Sequence, residues 1–125
     1  DLVKKLYARS PLASGILGGH INSRSTFSAQ DQRYSWLKGD RLNSIVKRVE
    51  KIRSLSDLPV DSTARKYLLQ NDQMAGVIFG AKRPEHIAAI AQDLKSPALS
   101  AALIEKLKAE YLNDFGLVNE SHLSY

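Results

Sequence analysis

The sequence contains no cysteine, and this single absence excludes three kinds of chemistry. Disulfide bonds, a thiolate nucleophile and a zinc site with thiolate ligands all need cysteine sulfur. The three histidines, His20, His86 and His122, are not spaced as metal ligands, and the carboxylates form no paired arrangement. We therefore expect no metal site and no catalytic residue within the chain.

Long apolar runs are also missing. No stretch of roughly 18 apolar residues occurs, so we expect no transmembrane helix. Residues 1–5 lack the order of a secretory signal. These absences and the lack of cysteine predict a cytoplasmic protein with no membrane partner. Because the chain starts at Asp1 rather than at methionine, we expect a processed chain, a fragment, or a chain whose first residues are missing.

Blocks of like charge are absent as well, although the chain is basic. It has 18 Lys and Arg against 13 Asp and Glu, a net charge of +5. This excess favours an anionic partner such as nucleic acid, a phosphate-bearing cofactor or a membrane surface, and a moderately basic surface without a ligand is the alternative. Since no basic arm occurs and the aromatic residues do not alternate with basic ones, we expect no nucleic-acid partner.

The chain contains short apolar runs and amphipathic segments, and its length corresponds to one domain at most. Its 125 residues are 43% hydrophobic and 25% charged, which is ordinary globular composition. Residues 2–8 predict a strand that ends before Pro11, because proline disfavours helical geometry in the residue before it. Residues 20–40 carry little periodicity and predict a long loop. The apolar run at 77–79 predicts a second strand, buried on both faces.

Four helices are predicted from apolar periodicity and start signals. The first begins near Leu42, the second is capped by Asp61 or Ser62, the third has Pro84 in its first turn and the last begins near Ser100. Their predicted inner faces are Leu42, Ile45, Val46, Val49 and Ile52; Ala64, Tyr67 and Leu68; Ile87, Ala88, Ile90, Ala91 and Leu94; and Leu103, Ile104, Leu107 and Tyr111. We expect the tail after residue 116 to be frayed.

This order of elements predicts an α/β fold with two parallel strands, because helices separate them. Two parallel strands do not make a stable sheet, and both expose unpaired edges. We therefore expect the chain to be part of a larger structure. It is a fragment, one half of a split domain, or a subunit of an oligomer that completes its own sheet.

Five segments resemble the aldo/keto reductase family, in the family's order and spacing. They are "RSPLASGILGG", "STFSAQDQR", "STARKYLLQND", "VIFGAKRPEHIAAI" and "SPALSAALIEKLKAEY". The first and fourth are similar to the turns after the family's seventh and eighth strands, and the second is similar to a Phe-x-x-x-Asp-x-Arg loop of bacterial members. The resemblance implies that residues 1–125 are one partial domain, the C-terminal part of a TIM (β/α)8 barrel that is complete only at about 250 residues.

The resemblance also implies NADP(H) as the cofactor, held by two turns. It places the diphosphate, ribose and nicotinamide at Arg9, Ser10, Leu12, Ser14 and Gly15, and the adenosine 2′-phosphate at Gly80, Ala81, Lys82, Arg83, Glu85 and His86. Small residues let backbone approach a pyrophosphate, and Arg or Lys at a helix start favours an anion. Tight, solvated turns without a ligand are the alternative. Ala89 and Ile90 replace the Glu and Asn with which members often recognise adenine.

The family's catalytic Asp, Tyr, Lys and His come from earlier strands, and none of those motifs lies in this chain. The resemblance therefore implies a family enzyme that reduces carbonyls to alcohols, but a chain that is inactive alone. It would need a missing N-terminal barrel half, or self-association to complete the sheet. The alternative is a non-catalytic nicotinamide-binding or structural accessory module of the same fold. The aromatic residues of the long loop, Phe27, Tyr34 and Trp36, cover the cofactor or pack on a neighbouring chain.

Overall fold

The computed structural model describes residues 5–117, which form two strands and four α-helices. Their order is β1 (Leu6–Arg9), α1 (Gly39–Leu55), α2 (Val60–Leu69), β2 (Met74–Ile78), α3 (Pro84–Lys95) and α4 (Ala101–Leu112). Short 3-10 turns occur at Ile16–Gly18, Gln32–Ser35 and Asp114–Gly116. This order confirms the predicted succession of elements. The start of the first predicted strand and the tail expected to fray lie outside the described residues.

The two strands pair in parallel, as predicted. Leu6 is opposite Met74, and Arg9 is opposite Ile78 at the other end of the ladder. Both strands therefore end at the same edge, and the segment that follows each strand starts there. Between residues 5 and 117 the sheet has only these two strands. The fold is α/β with an open sheet, as expected of part of a TIM barrel.

The prediction that the second strand is buried on both faces is wrong. Ile78 keeps 59% of its surface exposed, and Tyr7 on β1 keeps 71%. Each strand has a single neighbour, and α2 packs against β2 from one side only. An apolar run of this kind is buried only when further strands and helices cover it, and the described part of the chain holds none that do so.

The hydrophobic core lies beside the sheet rather than on it. It is built from the segment after β1, the long loop and the first two helices, and contains Ile16, Ile21, Leu37, Leu42, Ile45, Val49 and Val60. The predicted stripe of α1 is confirmed, since its remaining members Val46 and Ile52 pack against this core. The predicted loop at 20–40 is confirmed up to Lys38, apart from the 3-10 turn at Gln32–Ser35, because α1 already begins at Gly39. The loop supplies Leu37, which is only 1% exposed.

The start of α2 and its inner face differ from the prediction. The helix begins at Val60 after an extended Pro59, so neither Asp61 nor Ser62 is its cap. Ala64, Tyr67 and Leu68 are only half-buried. The buried surface of α2 is instead largely polar: Val60, Ser62, Thr63, Arg65 and Lys66.

This polar face joins α2 to α3. Arg65 Nε lies 2.5 Å from Asp93 Oδ2, and both side chains are less than a tenth exposed. Lys66 Nζ donates to Ser96 Oγ and to the Pro97 carbonyl, both at 2.6 Å. Buried charges are stable when they are paired or fully hydrogen-bonded. Arg65 and Asp93 form an ion pair, and the Lys66 ammonium is hydrogen-bonded to a hydroxyl and to carbonyl groups.

The last two helices confirm their predicted starts, whereas their predicted burial is confirmed only in part, on α4. Pro84 is the first residue of α3, and the Ser100 side chain caps α4 by accepting from the Leu103 N–H. On α3, Ile87 is 58% exposed, against the predicted stripe. On α4, Leu107 is buried as predicted and Leu103 and Ile104 are half-buried, whereas Tyr111 is 72% exposed. Amphipathic periodicity marks a face that can be covered, and residues 5–117 cover the face of α4 only in part and leave Ile87 of α3 exposed. No helix in that range is long and apolar enough to span a bilayer.

Candidate functional site

The turn after β1, which we call the first turn (residues 10–15), is held in an unusual backbone conformation. Ser10, Ala13 and Ser14 have φ values of 55°, 47° and 58°, and Gly15 has 86°. For residues other than glycine, the left-handed region costs about 1–2 kcal/mol each. The Ala13 N–H donates to the Ser10 carbonyl at 2.9 Å and closes the turn. The strained residues are thus concentrated where the strand ends.

The resemblance-implied residues of this turn differ in exposure. Arg9, the last residue of β1, and Ser10 and Ser14 are exposed, whereas Leu12 and Gly15 are half-buried. Two hydroxyl groups and a guanidinium therefore face solvent at the end of the strand. Hydroxyl and N–H donors of this kind suit a diphosphate or a ribose.

The turn after β2, which we call the second turn (residues 80–86), concentrates donors around His86. The Lys82 N–H donates to Nδ1 of His86 at 3.2 Å, and Nη2 of Arg83 lies 3.3 Å from Nε2 of the same ring. A neutral imidazole has only one acceptor nitrogen, and both neighbours are donors. The Glu85 carboxylate lies 4.0 Å from Nε of Arg83 and is the acidic neighbour of these donors. Gly80, Ala81, Lys82, Arg83 and Glu85 are exposed, and His86 is half-buried.

An open depression of about 670 Å³ adjoins this second turn. Its lining combines the two cations with apolar side chains: Ala81, Lys82, Arg83, Pro84, Ile87 and Ala88. Helix α3 starts at the same place, and its N-terminal N–H groups and dipole add positive potential. The arrangement suits a flat ring system that carries a negative group.

The long loop contributes a third element, which we call the brace (Phe27, Asp31 and Arg33). Arg33 binds the Asp31 carboxylate with two hydrogen bonds, from Nε at 2.9 Å and from Nη2 at 2.6 Å. Its guanidinium lies 4.5 Å from the centre of the Phe27 ring. Nη1 donates to the Ser14 carbonyl at 3.1 Å, so the brace reaches the first turn.

The Asp31 carboxylate of the brace has a lowered pKa. Its pKa is lowered from 3.8 to about 2, chiefly by the side-chain hydrogen bond from Arg33 and then by the Arg33 N–H. The positive charges of Arg33 and of Lys82 lower this pKa further. The pairing with Arg33 therefore accounts for most of the lowered pKa of Asp31, and the charge of Lys82 is the smallest contribution.

The structure brings the eleven implied residues to one edge of the sheet, in two groups that follow paired strands. Sequence reasoning noticed the Phe-x-x-x-Asp-x-Arg spacing of the loop but assigned no role to Asp31 or Arg33. Only that spacing could have pointed to these residues. The contact of Arg33 with the first turn is a hydrogen bond to the Ser14 carbonyl, which lies 19 residues away in the chain. Residues 5–117 contain no group of three side chains that could hold a metal ion.

A scan of the sequence against models of protein families matches residues 4–111 to the aldo/keto reductase family. The chain belongs to the aldo/keto reductase family. This membership gives it an oxidoreductase-type fold related to the TIM barrel, in a family that generally binds nicotinamide cofactors. Searches of curated proteins and of solved structures found no match.

Proposed function

We propose that the chain is the NADP(H)-binding C-terminal part of an aldo/keto reductase, an oxidoreductase that reduces carbonyls to alcohols by hydride transfer. One observation carries this proposal. In a chain of this family, two turns with complementary chemistry follow paired parallel strands at the same sheet edge. The first offers hydroxyl groups on a strained backbone, and the second offers cations at a helix start.

The first turn would hold the middle of the cofactor. The hydroxyls of Ser10 and Ser14 are exposed and can donate to the diphosphate and the ribose. Gly15 adopts the left-handed φ that the turn requires, and Leu12 would supply apolar contact. The exposed guanidinium of Arg9 is planar and can stack on the nicotinamide ring.

The second turn would hold the adenosine end and favour NADP(H) over NAD(H). The 2′-phosphate would meet the exposed cations Lys82 and Arg83 beside His86, and it would compete for Arg83 with Glu85, whose carboxylate lies 4.0 Å from Nε. Arginine can bind phosphate with two parallel hydrogen bonds. The adenine would lie on Ile87 in the adjoining depression, where apolar contact replaces polar recognition by the absent Glu and Asn.

Hydride transfer would require residues from outside this chain. The four catalytic residues implied by the family resemblance have no matching motif here, so a partner segment must supply them. The exposed Tyr7 and Ile78 on the open strands support completion of the sheet by an N-terminal barrel half or by self-association. The missing motifs also favour a second candidate function, a non-catalytic module that binds nicotinamide cofactor or stabilises an assembly.

Titration with NADPH and with NADH, followed by nicotinamide fluorescence, tests the proposal. We expect NADPH to bind about tenfold more tightly, because charged hydrogen bonds to the 2′-phosphate are worth roughly 1.5–3 kcal/mol. The double variant Lys82→Ala/Arg83→Ala should remove this preference. The matched control Lys106→Ala/Arg24→Ala takes one exposed lysine and one exposed arginine from elsewhere and should keep it.

Equal affinity for the two cofactors would contradict the assignment of the 2′-phosphate to the second turn. Absence of binding to either cofactor, even with an N-terminal barrel half supplied, would favour the structural alternative. Circular dichroism of each variant checks that the helices persist.

A further inference from the structure

Arg33 connects the long loop to the most strained part of the first turn. Its Nη1 donates to the Ser14 carbonyl at 3.1 Å, across 19 residues of chain. A Cβ built on Gly15 would lie 3.1 Å from the same nitrogen. The guanidinium thus fills the space directly behind the turn and holds one of its carbonyl groups.

The remaining edges and one face of this guanidinium are already occupied. Nε and Nη2 bind the two Asp31 oxygens, and the Arg33 N–H also donates to Oδ1 at 2.9 Å. Phe27 lies under the plane, and the Arg33 side chain is only 23% exposed. A planar group fixed in this way is pre-organised, so that Nη1 is aimed at Ser14 with little freedom to turn elsewhere.

The conformation of the turn depends on where that carbonyl points. Ala13 and Ser14 have left-handed φ values, which residues with a Cβ rarely adopt without support from their surroundings. If Ser14 relaxed to an ordinary φ, its peptide plane would rotate and its carbonyl would leave Nη1. Loss of the hydrogen bond to Nη1 should therefore release the left-handed conformation, and loss of that conformation should break the hydrogen bond.

We infer that Arg33 is a positioning residue, which holds residues 13–15 in the left-handed conformation on which cofactor affinity depends. It touches no cofactor and acts through the backbone. The dependence of affinity rests on the proposed function, whereas the effect of Arg33 on the backbone does not. Asp31 and Phe27 fix Arg33, and the lowered pKa of Asp31 is consistent with that pairing.

The substitution Arg33→Lys keeps the charge but loses the planar fork, and Arg24→Lys is the matched control on the same loop, with an exposed side chain. We expect Arg33→Lys to bind NADPH about tenfold more weakly, since a charged hydrogen bond that orders the site is lost. The ¹³Cα and ¹³Cβ shifts of Ala13 and Ser14, which report φ, should move toward ordinary values. Arg24→Lys should change neither.

A second substitution distinguishes a positioning role of Arg33 from a general effect of Arg33 on stability. Glycine adopts positive φ without strain, so adding Ala13→Gly to Arg33→Lys should restore most of the lost affinity although Arg33 is still missing. Unchanged shifts in Arg33→Lys, or no recovery on adding Ala13→Gly, would overturn the inference.

Two further results distinguish a failure of the proposed function from a failure of the role of Arg33. If the unsubstituted chain does not bind NADPH even with an N-terminal barrel half supplied, the proposed function fails, while the chemical shifts still decide whether Arg33 sets the backbone. If Arg33→Lys does not fold, Asp31→Asn replaces it, because it leaves Arg33 present but loosens its orientation. Asp31→Asn should shift Ala13 and Ser14 in the same direction by less, and no shift would count against the role of Arg33.

Discussion

The first and second turns occupy equivalent places, each just beyond a strand of the same parallel pair, but they are built by different physical means. The first turn relies on backbone conformation, with strained residues held by an arginine from a distant loop. The second relies on charge, with exposed cations at the start of a helix and no comparable strain. A strained backbone needs a brace, whereas a charged turn needs only its side chains and the helix.

This difference predicts that the first turn is coupled to the stability of the fold and the second is not. The core contains Ile16, directly after the first turn, and Leu37, two residues after the 3-10 turn that carries Arg33. The second turn is followed by α3, none of whose residues is fully buried. Substitutions in the two turns should therefore separate into effects on unfolding and effects on ligand affinity.

The largest expected effect comes from Gly15→Ala, with Gly19→Ala as its control. The two glycines have nearly the same φ, 86° and 87°. A Cβ at Gly15 would press on Arg33, whereas one at Gly19 would meet nothing within 4 Å. We expect Gly19→Ala to destabilise by about 1 kcal/mol from its φ alone, and Gly15→Ala by about 2 kcal/mol or more. Urea unfolding followed by circular dichroism measures both, and equal losses would show that Arg33 does not confine the turn.

A smaller effect, on affinity alone, is expected for Lys82→Ala in the second turn. NADPH affinity should fall about fivefold, the equivalent of about 1 kcal/mol, and should become less sensitive to salt. The free energy of unfolding should change by no more than about 0.5 kcal/mol, since the side chain is exposed. Fluorescence titration at two salt concentrations and urea unfolding give both numbers, with Lys106→Ala as the control. If Lys82→Ala destabilised the fold as much as Gly15→Ala does, the predicted difference between the two turns would be wrong.

The smallest effect is a local response to acid. A carboxylate with a lowered pKa stabilises the folded form above its ordinary pKa and stops doing so as the pH falls through the lowered value. For Asp31 these values are 3.8 and about 2, so the brace should hold from neutral pH to about 4 and weaken between 4 and 2. The ¹³Cβ shift of Ala13 should move in that window before that of Ala81. Simultaneous movement of the two signals would mean that acid unfolds the chain as a whole.

Much of the fold could be predicted because its signals are local. Pro84 and Ser100 mark helix starts through geometry and hydrogen bonds within one turn, and both were placed correctly. The stripe of α1 was correct because its partners, Ile16, Ile21 and Leu37, lie in the same chain. The cap of α2 was missed because an extended Pro59 and the burial of Val60 outweigh the capping preference of Asp61 and Ser62.

Burial was predicted poorly wherever no element of residues 5–117 covers the predicted face. Ile78, Ile87 and Tyr111 belong to apolar patterns typical of covered faces, yet all three are exposed. The pattern specifies which side of an element can be buried, but not whether anything is present to bury it. For the site, the parallel order of the strands was enough to place residues 9–15 and 80–86 at one edge.

The sequence by itself determined the element order, the parallel pairing and the family, since these follow from periodicity, helix signals and ordered motifs. Tertiary structure alone decided that the Ser14 carbonyl meets Arg33, and that α2 turns Arg65 and Lys66 toward Asp93 and the end of α3. Such contacts join residues 19 to 31 positions apart. Their formation depends on how folded segments approach each other in space, and no local pattern encodes that approach.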